Sequence, residues 1–199
     1  YIYETDGDPS FQASSPDRLV EKTGGGKGFD DEAGAIEILD SDGNVSHHAA
    51  NSVDNYRQLY RTFRSDDTLK AVHEKFAFIC IWDDHEFSDD SWQENATYFD
   101  GTQLENSIDR KKNAEQAFFE YQPLDIDPSN GRLDGAGQIN VEQADLFPSQ
   151  IFRSFRFGQT MSLTMSDFRT YRPDHAIAED RYPGEMALTQ LEVARTLYV

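Results

Sequence analysis

Between residues 54 and 63, Tyr56, Leu59, Tyr60 and Phe63 recur at spacings of three and four, which predicts a helix with one buried face. Ser65 is placed to cap a second helix, in which Leu69, Val72 and Phe76 repeat the spacing. The pattern then changes abruptly. Residues 76 to 82, Phe-Ala-Phe-Ile-Cys-Ile-Trp, form an unbroken apolar run of strand length, the signature of a strand covered on both faces in a layered α/β protein. A third helix is expected over 105 to 121, with Ala114, Ala117, Phe118 and Tyr121 facing inward and Arg110, Lys111 and Lys112 on a solvated face. Residues 151 to 157 and 161 to 165 read as a hairpin turning at Gly158-Gln159, and a shorter hairpin is expected around Asp40 to Asn44. Tyr1 to Glu4 resembles the end of a buried strand, residues 12 to 35 a loop, and residues 189 to 198 the start of a last helix.

With 199 residues, 37% of them hydrophobic and 13% aromatic, the chain holds enough apolar area for one packed domain spanning 1 to 199. Its net charge of -19 excludes nucleic acid as a natural partner and suits divalent cations. A phosphorylated substrate would be repelled by such a surface unless metal ions supplied local positive charge. Cys80 is the sole cysteine, so no internal disulfide forms, and no stretch has the length of a membrane span. The glycine run at 24 to 28 lacks the Lys-Ser/Thr that a phosphate loop needs, and the acidic stretch from Asp125 misplaces the glycine and glutamate of a calcium-binding loop. His47, His48, His73 and His175 read as surface or structural residues.

The apolar run ends in Asp83-Asp84-His85-Glu86, four ligand-type side chains at the carboxyl end of the expected strand, the edge where open α/β sheets place their sites. Two adjacent carboxylates beside a buried segment require a cation or hydrogen-bond donors, and a histidine adds a nitrogen able to bind metal or transfer a proton. Spacing alone leaves two readings open, an acidic turn whose histidine bonds to backbone and a metal or phosphate site.

Trp82-Asp83-Asp84-His85-Glu86 resembles the third motif of the calcineurin-like metallophosphoesterases, in the form found in the alkaline phosphatase D (PhoD-like) family. Tyr1-Ile2-Tyr3-Glu4, Asp54 to Tyr60, Phe87 to Asp90 and Asp167-Phe168-Arg169-Thr170-Tyr171-Arg172 resemble further stretches of that family. The resemblance implies a two-sheet α/β sandwich flanked by helices, incomplete in this chain, that hydrolyses phosphate monoesters or diesters through a metal-activated water. It implies that Asp84 ligates a metal, that Tyr3 ligates ferric iron, and that His85 stabilises the phosphoryl oxygens or protonates the leaving group. Iron(III) and calcium are the implied cofactors, with Asp83 and Glu86 orienting the ligands. Asp167 and Arg169 are left either near the site or in an internal ion pair.

The aspartate expected before Tyr1, an upstream cysteine or aspartate motif and a downstream Gly-His-x-His motif do not occur in the sequence. The expectation is therefore an excerpt of a longer exported enzyme, inactive as an isolated segment. The alternatives are a catalytically incomplete scaffold serving as an ion-binding or interaction module, or a calcium-binding structural domain.

Overall fold

The computed structural model describes residues 2–6, 28–89, 91–96, 105–122, 124 and 151–171. Helix α1, Val53–Phe63, begins at a capping box. The Ser52 hydroxyl accepts the Asn55 N–H, while the Asn55 side-chain oxygen accepts the N–H groups of Asn51 and Ser52. Asn55 is fully buried, and its amide also donates 2.9 Å to the Asp31 carbonyl. Tyr56, Leu59 and Tyr60 are buried as their spacing predicts. Helix α2, Asp67–His73, is capped by the Asp66 carboxylate, which accepts the Leu69 N–H. Ser65 is not the cap, because its hydroxyl donates instead to the Thr62 carbonyl at the end of α1. No residue of α2 is buried.

Helix α3, Ile108–Tyr121, lies against α1 and buries Ala114, Ala117 and Phe118. Tyr60 and Tyr121 stack with ring centroids 5.1 Å apart, and Trp82 meets Phe118 edge-on at 5.3 Å. Each large side chain removed from water here contributes about 1.5–3 kcal/mol. The solvated face expected for Arg110 and Lys111 is overturned, since they are only 1% and 5% exposed. Arg110 donates through Nε to the Ala50 carbonyl at 2.7 Å and lies over the Phe87 ring. Lys111 sits over Trp82 and Phe87 and faces Glu115 at 3.6 Å. Long aliphatic stems and cation–π contacts let these two positions pack against aromatic neighbours, which a polar-equals-outside reading misses.

Strands β1, Ile36–Leu39, and β2, Val45–Ala49, form the shorter hairpin, with Gly43 at φ +81° in its turn. Strands β3, Asn95–Ala96, and β4, Glu105–Asn106, form a second antiparallel ladder. Strands β5, Arg153–Phe157, and β6, Met161–Met165, pair around Gly158 in full register, as the sequence predicts. Among the described residues these three two-stranded ladders are separate, without the large sheets of a sandwich.

The apolar run 76 to 82 departs from expectation. It carries no strand, and Phe76, Phe78 and Ile79 are 65%, 44% and 39% exposed, whereas Trp82 at its end is buried. A strand buried on both faces needs ladder partners and two covering layers, and among the described residues none lies beside it. Among the described residues the segment at 2 to 6 is not a strand but lies along the end of β2, with a bridge from Thr5 to Ala49, and Ile2 and Glu4 are buried as a strand end would be. Residues 7 to 27, with most of the glycine run, the Asp125 loop, His175 and the helix expected at 189 to 198 lie outside the described residues.

Replacing Asn55 with alanine removes the bonds its buried amide makes to the N–H groups of Asn51 and Ser52 and to the Asp31 carbonyl, at a cost of about 1–3 kcal/mol. Urea unfolding should show this as a lower midpoint, whereas Lys70→Ala on the exposed side of α2 should change stability by less than about 0.5 kcal/mol. Equal midpoints for the two variants would refute the role assigned to the cap.

Candidate metal centre

The turn at residues 84 to 89 is built from the backbone outward. The Asp84 carbonyl accepts the N–H groups of Phe87 and Ser88 at 2.7 and 2.8 Å, closing a tight turn directly after the buried Trp82. Tyr56 donates its hydroxyl to the Phe87 carbonyl at 2.7 Å, tying the turn to α1. Glu86 is buried, with one carboxylate oxygen accepting the Asp83 N–H at 2.7 Å and the other the Ile2 N–H at 3.2 Å. It therefore joins the turn to the first segment of the chain.

That first segment supplies the neighbours of His85. The Glu4 carboxylate, fully buried, lies 2.8 Å from His85 Nδ1 and also accepts the Asp89 N–H. Because a carboxylate only accepts, Nδ1 carries the hydrogen, and Nε2 is directed toward Asp89, 3.7 Å from its carboxylate. The Tyr3 and His85 ring centroids are 4.3 Å apart. Asp84 uses one oxygen to accept the His85 N–H at 3.0 Å, and its other oxygen lies 3.0 Å from the Arg169 guanidinium. Asp83 is half exposed and pairs with the same guanidinium at 3.3 Å.

The titration of these groups follows from the surroundings. Burial disfavours the charged His85 ring, but the Glu4 hydrogen bond and the charges of Glu4, Asp84 and Asp89 outweigh it and raise the imidazole to about 9. Burial likewise acts to raise Asp83, while the Asp84 N–H and Arg169 hold its carboxyl below the ordinary value.

One ligand atom from each of Asp84, His85 and Asp89 falls within 4.8 Å of the others. Two carboxylates and one imidazole suit a hard or borderline divalent cation. The hydrogen bond from Nδ1 to Glu4 is the kind of outer support that fixes the tautomer and aim of a ligating histidine. The arrangement thus fits a metal ion, and its pull on positive charge is visible in both Arg169 and the raised imidazole.

The structure brings together all five residues singled out in the sequence, Tyr3, Asp83, Asp84, His85 and Glu86. Glu4 and Asp89 were not singled out. Asp89 had a usable signal, four residues after His85, whereas Glu4 is 81 residues away in sequence and no spacing rule reaches it. Arg169 meets Asp83 and Asp84, while Asp167 does not join the guanidinium and instead accepts the N–H groups of Arg169 and Thr170. Elsewhere, His48 pairs with Asp6 at 3.1 Å, His47 contacts Ser46 and His73 stacks on Phe78, which are structural roles as expected. Cys80 is partly buried.

A family model described as PhoD-like phosphatase matches residues 21–196. Alkaline phosphatase D of Bacillus subtilis (strain 168) is 30% identical over 155 residues, covering 76% of this chain and 24% of that protein. A solved structure, described as the structure of PhoD, is 26% identical and aligns with a TM-score of 0.47 over 70% of this chain and 25% of that one. The chain spans about a quarter of the length of these relatives.

In the absence of divalent cations the His85 ring should titrate by NMR near 9, and Glu4→Gln should lower that value by removing the largest favourable contact. The sign follows from a raised folded-state value. Its stabilisation is complete below about 6.5 and fades as pH climbs through about 9. A His85 titration at the ordinary value in the metal-free protein would contradict the Glu4 contact.

Proposed function

The chain belongs to the PhoD-like phosphatase family, and from that premise we propose that it carries one corner of the metal centre of an α/β phosphoesterase that hydrolyses phosphate esters. The observation that carries the reading is the cluster of Asp84, His85 and Asp89 with His85 braced by a fully buried Glu4. Buried like charges are costly to a fold and are retained where a cation or a developing charge uses them.

In this reading Asp84 and Asp89 hold the cation, with Tyr3 the proposed ligand of a ferric ion beside it. When bound, such ions polarise the phosphoryl group and lower the pKa of a water that attacks phosphorus. The chain's own residues do the rest. Glu4 holds His85 so that Nε2 faces the cluster, where the ring donates a hydrogen bond to phosphoryl oxygen or a proton to the leaving alkoxide. Glu86 and Asp83 fix the backbone and flank of the turn. Phe87 and Trp82 wall its buried side.

The complete enzyme is proposed to form the two-sheet sandwich of its family, to use iron(III) with calcium, and to act outside the cytoplasm. No helix among the described residues is long and apolar enough to cross a membrane. The remaining ligands are proposed to come from parts of a longer enzyme, since Asp84, Asp89 and Tyr3 do not complete a dinuclear site.

The full-length protein should hydrolyse an artificial phosphodiester, and His85→Ala should lower kcat by about 10²–10⁴-fold while circular dichroism stays unchanged. Elemental analysis of the same preparation should find iron and calcium. A full-length protein that binds calcium but hydrolyses neither monoesters nor diesters would replace this reading with that of an ion-binding scaffold.

A further inference from the structure

Arg169 sits at the metal corner without belonging to the cluster of ligands. Its backbone is fastened independently of its side chain. The Asp167 carboxylate accepts the N–H groups of Arg169 and Thr170 at 3.0 and 2.8 Å, the Arg169 carbonyl accepts the Gln93 N–H at 2.9 Å, and Thr170 is fully buried. From that anchored base the guanidinium reaches Asp84 at 3.0 Å and Asp83 at 3.3 Å. It also lines a cleft shared with Trp82, Asp83, Glu86, Phe87 and Lys111.

We propose that Arg169 binds the phosphoryl oxygens of the substrate, and that its contact with Asp84 is the resting position of that guanidinium. This role for Arg169 rests on the phosphoesterase reading and on charge balance. A cation taking the Asp84 carboxylate satisfies the same negative charge that holds Arg169, so metal and guanidinium compete for one group. Once the cation is in place, the nearest new anion is a phosphoryl group at that cation. A planar fork of N–H donors on a fixed backbone is suited to bind it, more so than a lysine point charge. Asp83, half exposed and still paired with the guanidinium, keeps Arg169 at the site during the exchange.

Competition for Asp84 gives the two ligands opposite signs. In the full-length protein, Arg169→Gln should raise KM for an artificial phosphodiester, and the inhibition constant of inorganic phosphate, by about ten- to a hundredfold. Calcium affinity measured by calorimetry should stay equal or tighten. Arg169→Lys should recover only part of the phosphate affinity, and it serves as the deciding variant if Arg169→Gln fails to fold. Phosphate affinity within twofold of wild type in both variants would overturn the proposal, as would a calcium affinity that falls in step with phosphate, because Arg169 would then only support Asp84. Wild-type protein that binds calcium yet neither binds phosphate nor hydrolyses esters would remove the phosphoesterase reading and this inference with it. An active wild type with an unaffected Arg169→Gln removes the inference alone.

Discussion

A glutamate carboxylate with none of its surface exposed must find donors inside the protein, and the organisation of the site follows from where Glu4 finds them. One oxygen meets His85 Nδ1 and the other the Asp89 N–H, so a single buried anion sets the ring orientation of one cluster member and the backbone position of another. The same short segment is fastened at both ends. The Ile2 N–H donates to Glu86, and the Glu4 carbonyl accepts the Ala50 N–H at 2.6 Å, at the end of β2. Pieces of chain more than eighty residues apart are thereby locked into one corner.

The corner is acidic and the molecule around it answers with cations. Arg169 neutralises Asp83 and Asp84 from one side, and the His85 ring gains positive charge from the carboxylates around it. Behind the turn, Arg110 and Lys111 lie against Phe87 from α3, with Arg110 capping the Ala50 carbonyl. These contacts place two positive charges in the layer beneath the site of a chain whose net charge is -19. Removing either would unpack aromatic rings as well as shift charge.

Helix-forming stretches were legible because their information is local. Tyr56, Leu59 and Tyr60 at spacings of three and four fix the buried face of α1 wherever the helix packs, and Ala114, Ala117 and Phe118 do the same for α3. The hairpins were legible through their turns at Gly43 and Gly158. The run from Phe76 to Trp82 was misread because apolar composition reports a demand for burial without supplying the neighbours that meet it, and a strand is defined by those neighbours. Arg110 and Lys111 were misread for the converse reason, since charge at one end of a long side chain says little about where its stem lies.

By itself the sequence determined the chemistry available at the site, because Asp83-Asp84-His85-Glu86 are contiguous and their motif belongs to a recognisable family. It also determined, through a net charge of -19, a surface suited to divalent cations. Only the tertiary structure decided which of those side chains act together. Glu4 and Arg169 reach the turn from 81 and 85 residues away through a fully buried hydrogen bond and an anchored ion pair. Contacts at that separation leave no periodic trace in a sequence, since the chain between them is free to vary as long as it returns the two ends to the same place.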